Sequence, residues 1–283
     1  MTSPWIAALV ALFAWWFSTG AILAVVKRAD AGGRSAHVWA VLLALPVLVL
    51  GAGMFVDTLG RTETGAVYAA FLAALMVWGW IEMAFLCGVI TGPNRMRTPE
   101  GTPEWERFVR AWGAVAHHEL LLLAALLAMG WAVAQAGPGG AANPFGFYTF
   151  AVLFGARISA KLNLFYGVPR INTDFLPQAL AHLPTHFRIR RFNWLFPISV
   201  TGLTFATGFF LERLLAAPAP HEAVGWALLT AITALALLEH WLMVIPLPDE
   251  KLWRWMLPEP QDRAAQTPAT GPRADAPVAG PAE

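Results

Sequence analysis

The chain has 283 residues, of which 57% are hydrophobic and 13% are charged, and its formal net charge is +1. Soluble domains carry about 25% charged residues, so this composition excludes an ordinary soluble protein. The basic residues stand next to apolar stretches and form no patch of their own, which is not the pattern of a nucleic-acid-binding protein.

Seven long apolar stretches predict the fold class, an all-α integral membrane protein with a bundle of seven transmembrane helices. Each stretch is close to the ~20 residues that an α-helix needs to cross the ~30 Å hydrocarbon core of a bilayer. In chain order they are residues 4–26, 37–56, 65–90, 108–134, 145–166, 194–211 and 223–245.

The positive charges beside these stretches predict their orientation. Basic clusters follow the first, third and fifth stretches. Among lysine and arginine residues, the connection after the second stretch holds only Arg61, the one after the fourth holds none, and the one after the sixth holds only Arg213. Because basic connections stay in the cytoplasm, the N-terminus is predicted to be periplasmic and the C-terminus cytoplasmic. The clusters are Lys27, Arg28 and Arg34; Arg95, Arg97 and Arg107; and Arg170, Arg188, Arg190 and Arg191.

Three regions are predicted along the chain. Residues 1–245 form the transmembrane domain. Residues 246–257 are amphipathic, with Trp253, Trp255 and Met256 available to lie at the membrane interface. Residues 258–283 are rich in proline and alanine and cannot bury enough apolar surface to fold, so they are predicted to be a disordered tail.

Five charged residues away from the ends of the stretches predict a polar cluster inside the membrane: Glu82, Glu119, Arg157, Lys161 and Glu239. A charge at the centre of a span costs about 2.5–3.5 kcal/mol on insertion scales, so such residues usually pair or serve a function. In the predicted orientation all five fall in the cytoplasmic half of their helices. Arg157 is expected either to pair with Glu82 or Glu239 or to extend to the membrane surface, and Lys161 to extend to that surface.

Three histidines, His117, His118 and His240, are candidate axial ligands for a chlorophyll-type or haem tetrapyrrole. The favoured alternative is a histidine paired with a carboxylate on a neighbouring helix. No metal site is predicted, since no intramembrane glutamate has a histidine three residues later, as di-iron bundles require. His117, His118 and Glu119 also point about 100° apart around their helix and cannot all face one centre.

The connection after the fifth stretch is predicted to lie on the membrane surface or to dock to a partner protein. It mixes apolar and basic side chains, which suits the headgroup region of a bilayer. The alternative is a basic loop that only sets the topology. The candidate contact residues are Arg170, Phe175, Phe187, Arg188, Arg190 and Arg191.

Catalytic motifs are absent from the sequence: there is no glycine-rich phosphate loop, nucleophile elbow or zinc motif. We therefore predict that the protein is not an enzyme. Two alternatives stay open on the residues alone. One is a small-solute or proton transporter with Glu82, Arg157 and Glu239 along its path, and the other is a membrane enzyme of pigment metabolism with a His/Glu metal site.

Three segments carry a family resemblance. They are FAWWFSTGAILAVV at 13–26, AWGAVAHHELLLL at 111–123 and, most specific, ARISAKLNLFYGVPRINTDFLPQALAHLPTHFRIRRFNWLFPISVT at 156–201. In these segments the chain resembles the PuhE family, photosynthetic complex assembly proteins of phototrophic proteobacteria. The resemblance covers residues 1–257 and leaves out the tail.

The resemblance implies a multi-pass protein of the bacterial inner membrane, encoded near the gene for the reaction-centre H subunit. It implies a non-enzymatic role in assembling the photosynthetic reaction centre and light-harvesting complexes, with contact to bacteriochlorophyll or its supply. The implied partners are membrane lipid and subunits of these complexes or other assembly factors. The family brings no established catalytic residues, so the candidate site residues rest on the polar cluster.

Overall fold

The structure, a computed structural model, describes residues 2–171 and 176–245. An all-α fold is confirmed for this part of the chain, in which the isolated bridge between Val168 and Ile189 is the one β pairing. The predicted interfacial segment 246–257, the predicted tail 258–283 and Phe175 lie outside the described residues. The helices are α1 (Pro4–Leu43), α2 (Leu45–Thr58), α3 (Thr64–Leu86), α4 (Glu104–Gln135), α5 (Phe145–Tyr166), α6 (Leu195–Leu215) and α7 (Pro220–Leu242), with short 3-10 helices at Gln178–Leu180 and Leu183–His186.

The N-terminal helical run has two interruptions. Gly33 has a non-helical backbone with φ of 75°, a conformation that glycine adopts readily because it has no Cβ. α1 then ends at Leu43, and α2 begins at Leu45, beside Pro46, which lacks the N–H that a helix interior needs. The predicted second stretch, 37–56, is therefore divided between α1 and α2. α1 also includes the basic connection that was predicted to separate the first two stretches.

Five helical segments are long and apolar enough to cross a membrane, which fits a multi-pass membrane protein. α5 is not one of them, and it carries both Arg157 and Lys161. The five segments are Pro4–Thr58, taken across its interruptions, Thr64–Leu86, Glu104–Gln135, Leu195–Leu215 and Pro220–Leu242.

α3 is the central helix of the bundle. It packs against α1, α2, α4, α5 and α7, and 67% of its most apolar window is buried, compared with 11% for α6. Glycines let two neighbours approach it: a Cβ on Gly51 of α2 would lie 2.8 Å from Met76 Cβ, and one on Gly146 of α5 would lie 2.8 Å from Ala70 O. Such small residues allow close packing of membrane helices.

One end of the bundle collects the polar residues. The C-terminal halves of α3, α5 and α7 and the N-terminal half of α4 meet there, together with the connections 87–103 and 167–193. The opposite half of the bundle is an apolar core made by α1, α3, α5 and α7, with Phe71, Leu228 and Ile232 among its most buried side chains. The apolar core packs the helices together, and the polar end contains the candidate functional site.

Candidate functional site

Two ion pairs join three helices at the polar end. Arg157 Nη2 on α5 donates to Glu82 Oε2 on α3 at 2.9 Å. Lys161, one turn further along α5, is paired with Glu119 on α4. Arg157 thus pairs with one of its two predicted partners. Lys161 was expected to extend to the membrane surface. It pairs instead with the buried carboxylate of Glu119, which lies within its reach.

His118 is enclosed next to the Glu82–Arg157 pair, with 0% of its surface exposed. Its Nε2 is 3.6 Å from Glu82 Oε1, too far for a hydrogen bond. Its ring lies against Phe85, with the ring centroids 4.3 Å apart. Lys161 Nζ lies 5.1 Å from the centroid of the same Phe85 ring. His118 therefore neighbours a carboxylate of another helix without a hydrogen bond to it, so its pairing with a carboxylate stays a prediction.

The connection between α3 and α4 positions His118 through backbone hydrogen bonds. The His118 N–H donates to Thr91 O at 3.0 Å, and the Asn94 N–H donates to Gly113 O at 3.0 Å. Between these two bonds the chain lies so close to α4 that a Cβ on Gly92 would be 2.1 Å from Gly113 O. Only glycine fits there without moving the connection or the helix.

His240 on α7 has both ring nitrogens in use. Nδ1 lies 2.8 Å from Ala236 O, and Nε2 lies 2.9 Å from Ser159 Oγ. A carbonyl oxygen can only accept, so Nδ1 carries the proton, and Nε2 of the neutral ring accepts from the Ser159 hydroxyl. Ligating a tetrapyrrole through Nε2 would require this bond to break.

The structure does not bring the three candidate histidines to one centre. His117 is exposed, His118 is enclosed and His240 is buried with two hydrogen bonds. Their role as tetrapyrrole ligands stays a prediction, and His117 is the one with an accessible ring.

A cavity of about 700 Å³ lies beside the ion pairs, among α4, α5, α7 and the connection after α5. Most of its wall is apolar. Arg157, Lys161, Glu119 and Glu239 line it together, with Glu82 paired to Arg157. The residues of the predicted polar cluster therefore lie together at one site. The volume of the cavity falls within the ~300–1,000 Å³ typical of small-molecule sites.

The connection after α5 folds back over this cavity. Leu180 and Leu183 are buried against Phe85 and Ala114, and Phe187 packs on the same cluster. Phe187, which was predicted to contact the membrane or a partner, thus faces the bundle. An apolar side chain above a helical bundle is stabilised by burial as well as it would be by lipid.

Arg107 fastens this connection to α4, although the sequence indicated only a topogenic charge. Its Nη2 donates to Phe165 O at 3.3 Å and to His186 O at 3.0 Å. Its Nη1 donates to Glu104 Oε2 at 3.1 Å, and Glu104 also pairs with Arg188. Two of the three acceptors are backbone carbonyls, which no sequence pattern reveals. The three-residue spacing of Glu104 and Arg107 could predict only the ion pair between them.

The other basic candidates have different environments. Arg190 and Arg191 are exposed. Arg170 is tied to the end of α7, where its backbone N–H donates to Met243 O at 3.1 Å and its Nη1 donates to Ile245 O at 2.9 Å. Only part of the predicted contact surface is therefore turned outward.

His186, not among the candidate residues, lines the cavity. Its Nδ1 lies 2.7 Å from Thr98 Oγ1. Burial, assisted by the charges of His182 and Arg107, lowers the pKa of His186 to about 4. The ring is neutral at physiological pH. In the sequence, His182 and His186 are four residues apart, about one turn of an α-helix, but Pro184 between them argues against a regular helix. The sequence therefore did not single out His186 as a site residue.

The side chains at this site can bind and orient a molecule. Within residues 2–171 and 176–245, no three His, Cys, Asp or Glu side chains are grouped so that they could hold one metal ion. The cavity combines apolar walls with two ion pairs and the carboxyl group of Glu239. Such a site can hold an apolar molecule close to fixed dipoles.

Comparisons with known proteins show the family of this chain and a relative. The model of the family DUF3623, described as a protein of unknown function, matches residues 1–264. A protein of Rhodobacter capsulatus, described as "Uncharacterized 30.4 kDa protein in puhA 5'region", is 51% identical over 264 residues, which are 93% of this chain and 94% of the relative. No solved structure matches the chain.

Proposed function

This chain belongs to the DUF3623 family, and we propose that it is a non-enzymatic assembly factor for the photosynthetic reaction centre and light-harvesting complexes. The observation that carries the proposal is the description of the Rhodobacter capsulatus relative, which places that protein in the puhA 5' region. The resemblance to the PuhE family implies a gene in the same setting. The fold supports a role exerted within a membrane.

We place the protein in the bacterial inner membrane with seven spans and a periplasmic N-terminus. The break at Gly33 separates a first candidate span, residues 4–32, from a second one that the end of α1 forms together with α2. α5 has 22 residues, about 33 Å at 1.5 Å per residue, long enough for a further span. Its two cations are neutralised by Glu82 and Glu119, which lowers the cost of placing them in lipid.

We propose that the cavity receives bacteriochlorophyll or a precursor during assembly. Its volume of about 700 Å³ and its aromatic wall, which includes Phe85, Trp112 and Phe165, suit a large apolar molecule. The ion pairs hold α3, α4 and α5 in register and thereby keep the wall in shape. No bond is made or broken in this role.

Affinity purification of the tagged protein from phototrophically grown cells tests the assembly role. Reaction-centre or light-harvesting subunits, or other assembly factors, are expected to co-purify. A tagged Glu82→Gln variant, which disturbs the wall, is expected to recover less of them than the wild type at equal membrane levels. Recovery of the tagged protein alone, under several mild detergents, would contradict the proposal.

A second candidate, a transporter of a small solute or protons, is favoured by one observation. Arg157, Lys161 and Glu239 line a cavity inside a helical bundle, where charged side chains often mark an ion path. Proton flux into proteoliposomes, followed with a pH-sensitive dye, distinguishes the two. Flux that Glu82→Gln abolishes would favour the transporter, and no flux above that of empty vesicles would contradict it.

A further inference from the structure

A second hollow, of about 300 Å³, lies between the first turns of α6 and the end of α7. It adjoins the cavity described above, with which it shares Pro169 in its wall. Its wall is almost wholly apolar, and the rings of Phe196 and Trp241 meet edge to face at 5.6 Å on it. The other apolar side chains of the wall include Phe192, Pro197, Val200 and Val244.

Two arginines stand at one end of this groove. Arg191 lines it. Arg190 lies next to it, because its side chain packs on Gly167, another residue of the wall: a Cβ on Gly167 would be 2.8 Å from Arg190 Cγ. Both are exposed, and neither forms an ion pair among the described residues, whereas Arg188 is paired with Glu104. α6 begins at Leu195, and the first turn of a helix adds partial positive charge. The end of the groove is therefore cationic. The Glu104 carboxylate interacts with Arg190 over a longer distance but is already paired with Arg107 and Arg188.

Exposed apolar side chains surround these arginines. Ile189 is 78% exposed, Phe192 67% and Trp194 59%. Large apolar and aromatic residues next to arginine are typical of the boundary between lipid headgroups and acyl chains. These residues suit a groove whose cationic end lies at the headgroup level and whose apolar wall lies in the hydrocarbon layer.

We propose that this groove binds one anionic phospholipid. The phosphate lies against Arg190 and Arg191, and one acyl chain follows the groove past Phe196 and Trp241. Charge complementarity selects an anionic lipid over a zwitterionic one, because neither cation forms an ion pair in the described part of the protein. Basic pockets at the ends of membrane helices are known to bind anionic headgroups in this way. The inference does not depend on the assembly role.

Native mass spectrometry of the purified protein in detergent tests this site. The protein is mixed with equal amounts of phosphatidylglycerol and phosphatidylcholine. Three variants are compared with the wild type: Arg190→Gln with Arg191→Gln, Val200→Trp to fill the groove, and, as a charge-matched control, Lys27→Gln with Arg28→Gln.

The wild type is expected to retain phosphatidylglycerol preferentially. Loss of both groove arginines is expected to lower its affinity on the order of tenfold or more, and the Lys27/Arg28 control to leave it unchanged. Val200→Trp, if it folds, is expected to reduce retention of both lipids. Equal retention of the two lipids by the wild type would overturn the proposal, and so would equal effects of the two double variants. Loss of a co-purifying protein with unchanged lipid retention would instead identify a protein-docking surface.

Discussion

Arg157 Nη2 and Glu82 Oε2 lie 2.9 Å apart, so a cation of α5 and an anion of α3 neutralise each other among apolar helices. Lys161 and Glu119 repeat this relationship one turn away, between α5 and α4. Each pair is favourable only while its helices keep their register. The cavity wall depends on that register, because three of these four residues line it.

Replacing Glu82 with Gln is expected to destabilise the protein by leaving Arg157 without its counter-ion. Removing one partner of a buried pair costs about 3–5 kcal/mol, and the cost here is smaller because the Arg157 side chain is 36% exposed. The double variant Glu82→Gln with Arg157→Gln is expected to recover part of the loss. Thermal unfolding in detergent measures both, and a double variant less stable than Glu82→Gln would contradict the pairing.

Replacing Gly92 with Ala is expected to lower the unfolding temperature and shift the connection that positions His118. The added Cβ would lie 2.1 Å from Gly113 O, a backbone atom that cannot turn aside. Gly53→Ala is the matched control, since no atom lies within 4 Å of its added Cβ. Equal unfolding temperatures for the two variants would show that the approach of Gly92 to α4 is not as tight as described.

Acidification is expected to destabilise the protein partly through His186. Burial lowers the pKa of His186 from 6.5 to about 4, so between these values the unfolded chain binds a proton that the folded chain does not. The stabilisation is complete above pH 6.5 and is lost as the pH falls towards 4. The decline of unfolding temperature over this range is expected to be shallower in His186→Gln than in the wild type. Matching slopes for wild type and His186→Gln would refute the assignment.

Replacing Arg107 with Gln is expected to loosen the connection after α5. The variant loses the donors to Phe165 O and His186 O, and chymotrypsin should then cleave faster near Phe187 and Phe192. Arg110→Gln is the control, because Arg110 pairs only with Glu106 on its own helix among the described contacts. Cleavage at the same rate in both variants would show that Arg107 does not fasten the connection.

The clustering of the five intramembrane charges could be predicted, because charges on apolar helices have to find partners at the same depth. Which acid pairs with which base depends on helix rotation, and the sequence left that open for Arg157. Lys161 was expected at the membrane surface because its long side chain could reach it. In the structure it pairs with Glu119, which lies closer.

Contacts to backbone atoms could not be predicted. Arg107 binds the carbonyls of Phe165 and His186, and His118 donates its N–H to Thr91. Such acceptors exist at every residue, so no side-chain pattern singles them out. The direction of Phe187 was missed for a similar reason, since an apolar residue in a basic connection suits lipid and a helical bundle equally well.

The near-infrared absorption of membranes from a deletion strain tests the assembly role most directly. Without this gene, the bands of the reaction centre and the antenna complexes are expected to be selectively reduced, and the gene supplied in trans is expected to restore them. Complementation with Glu82→Gln should restore them less fully than the wild-type gene. Bands that match the wild type from induction through steady state would contradict an assembly function.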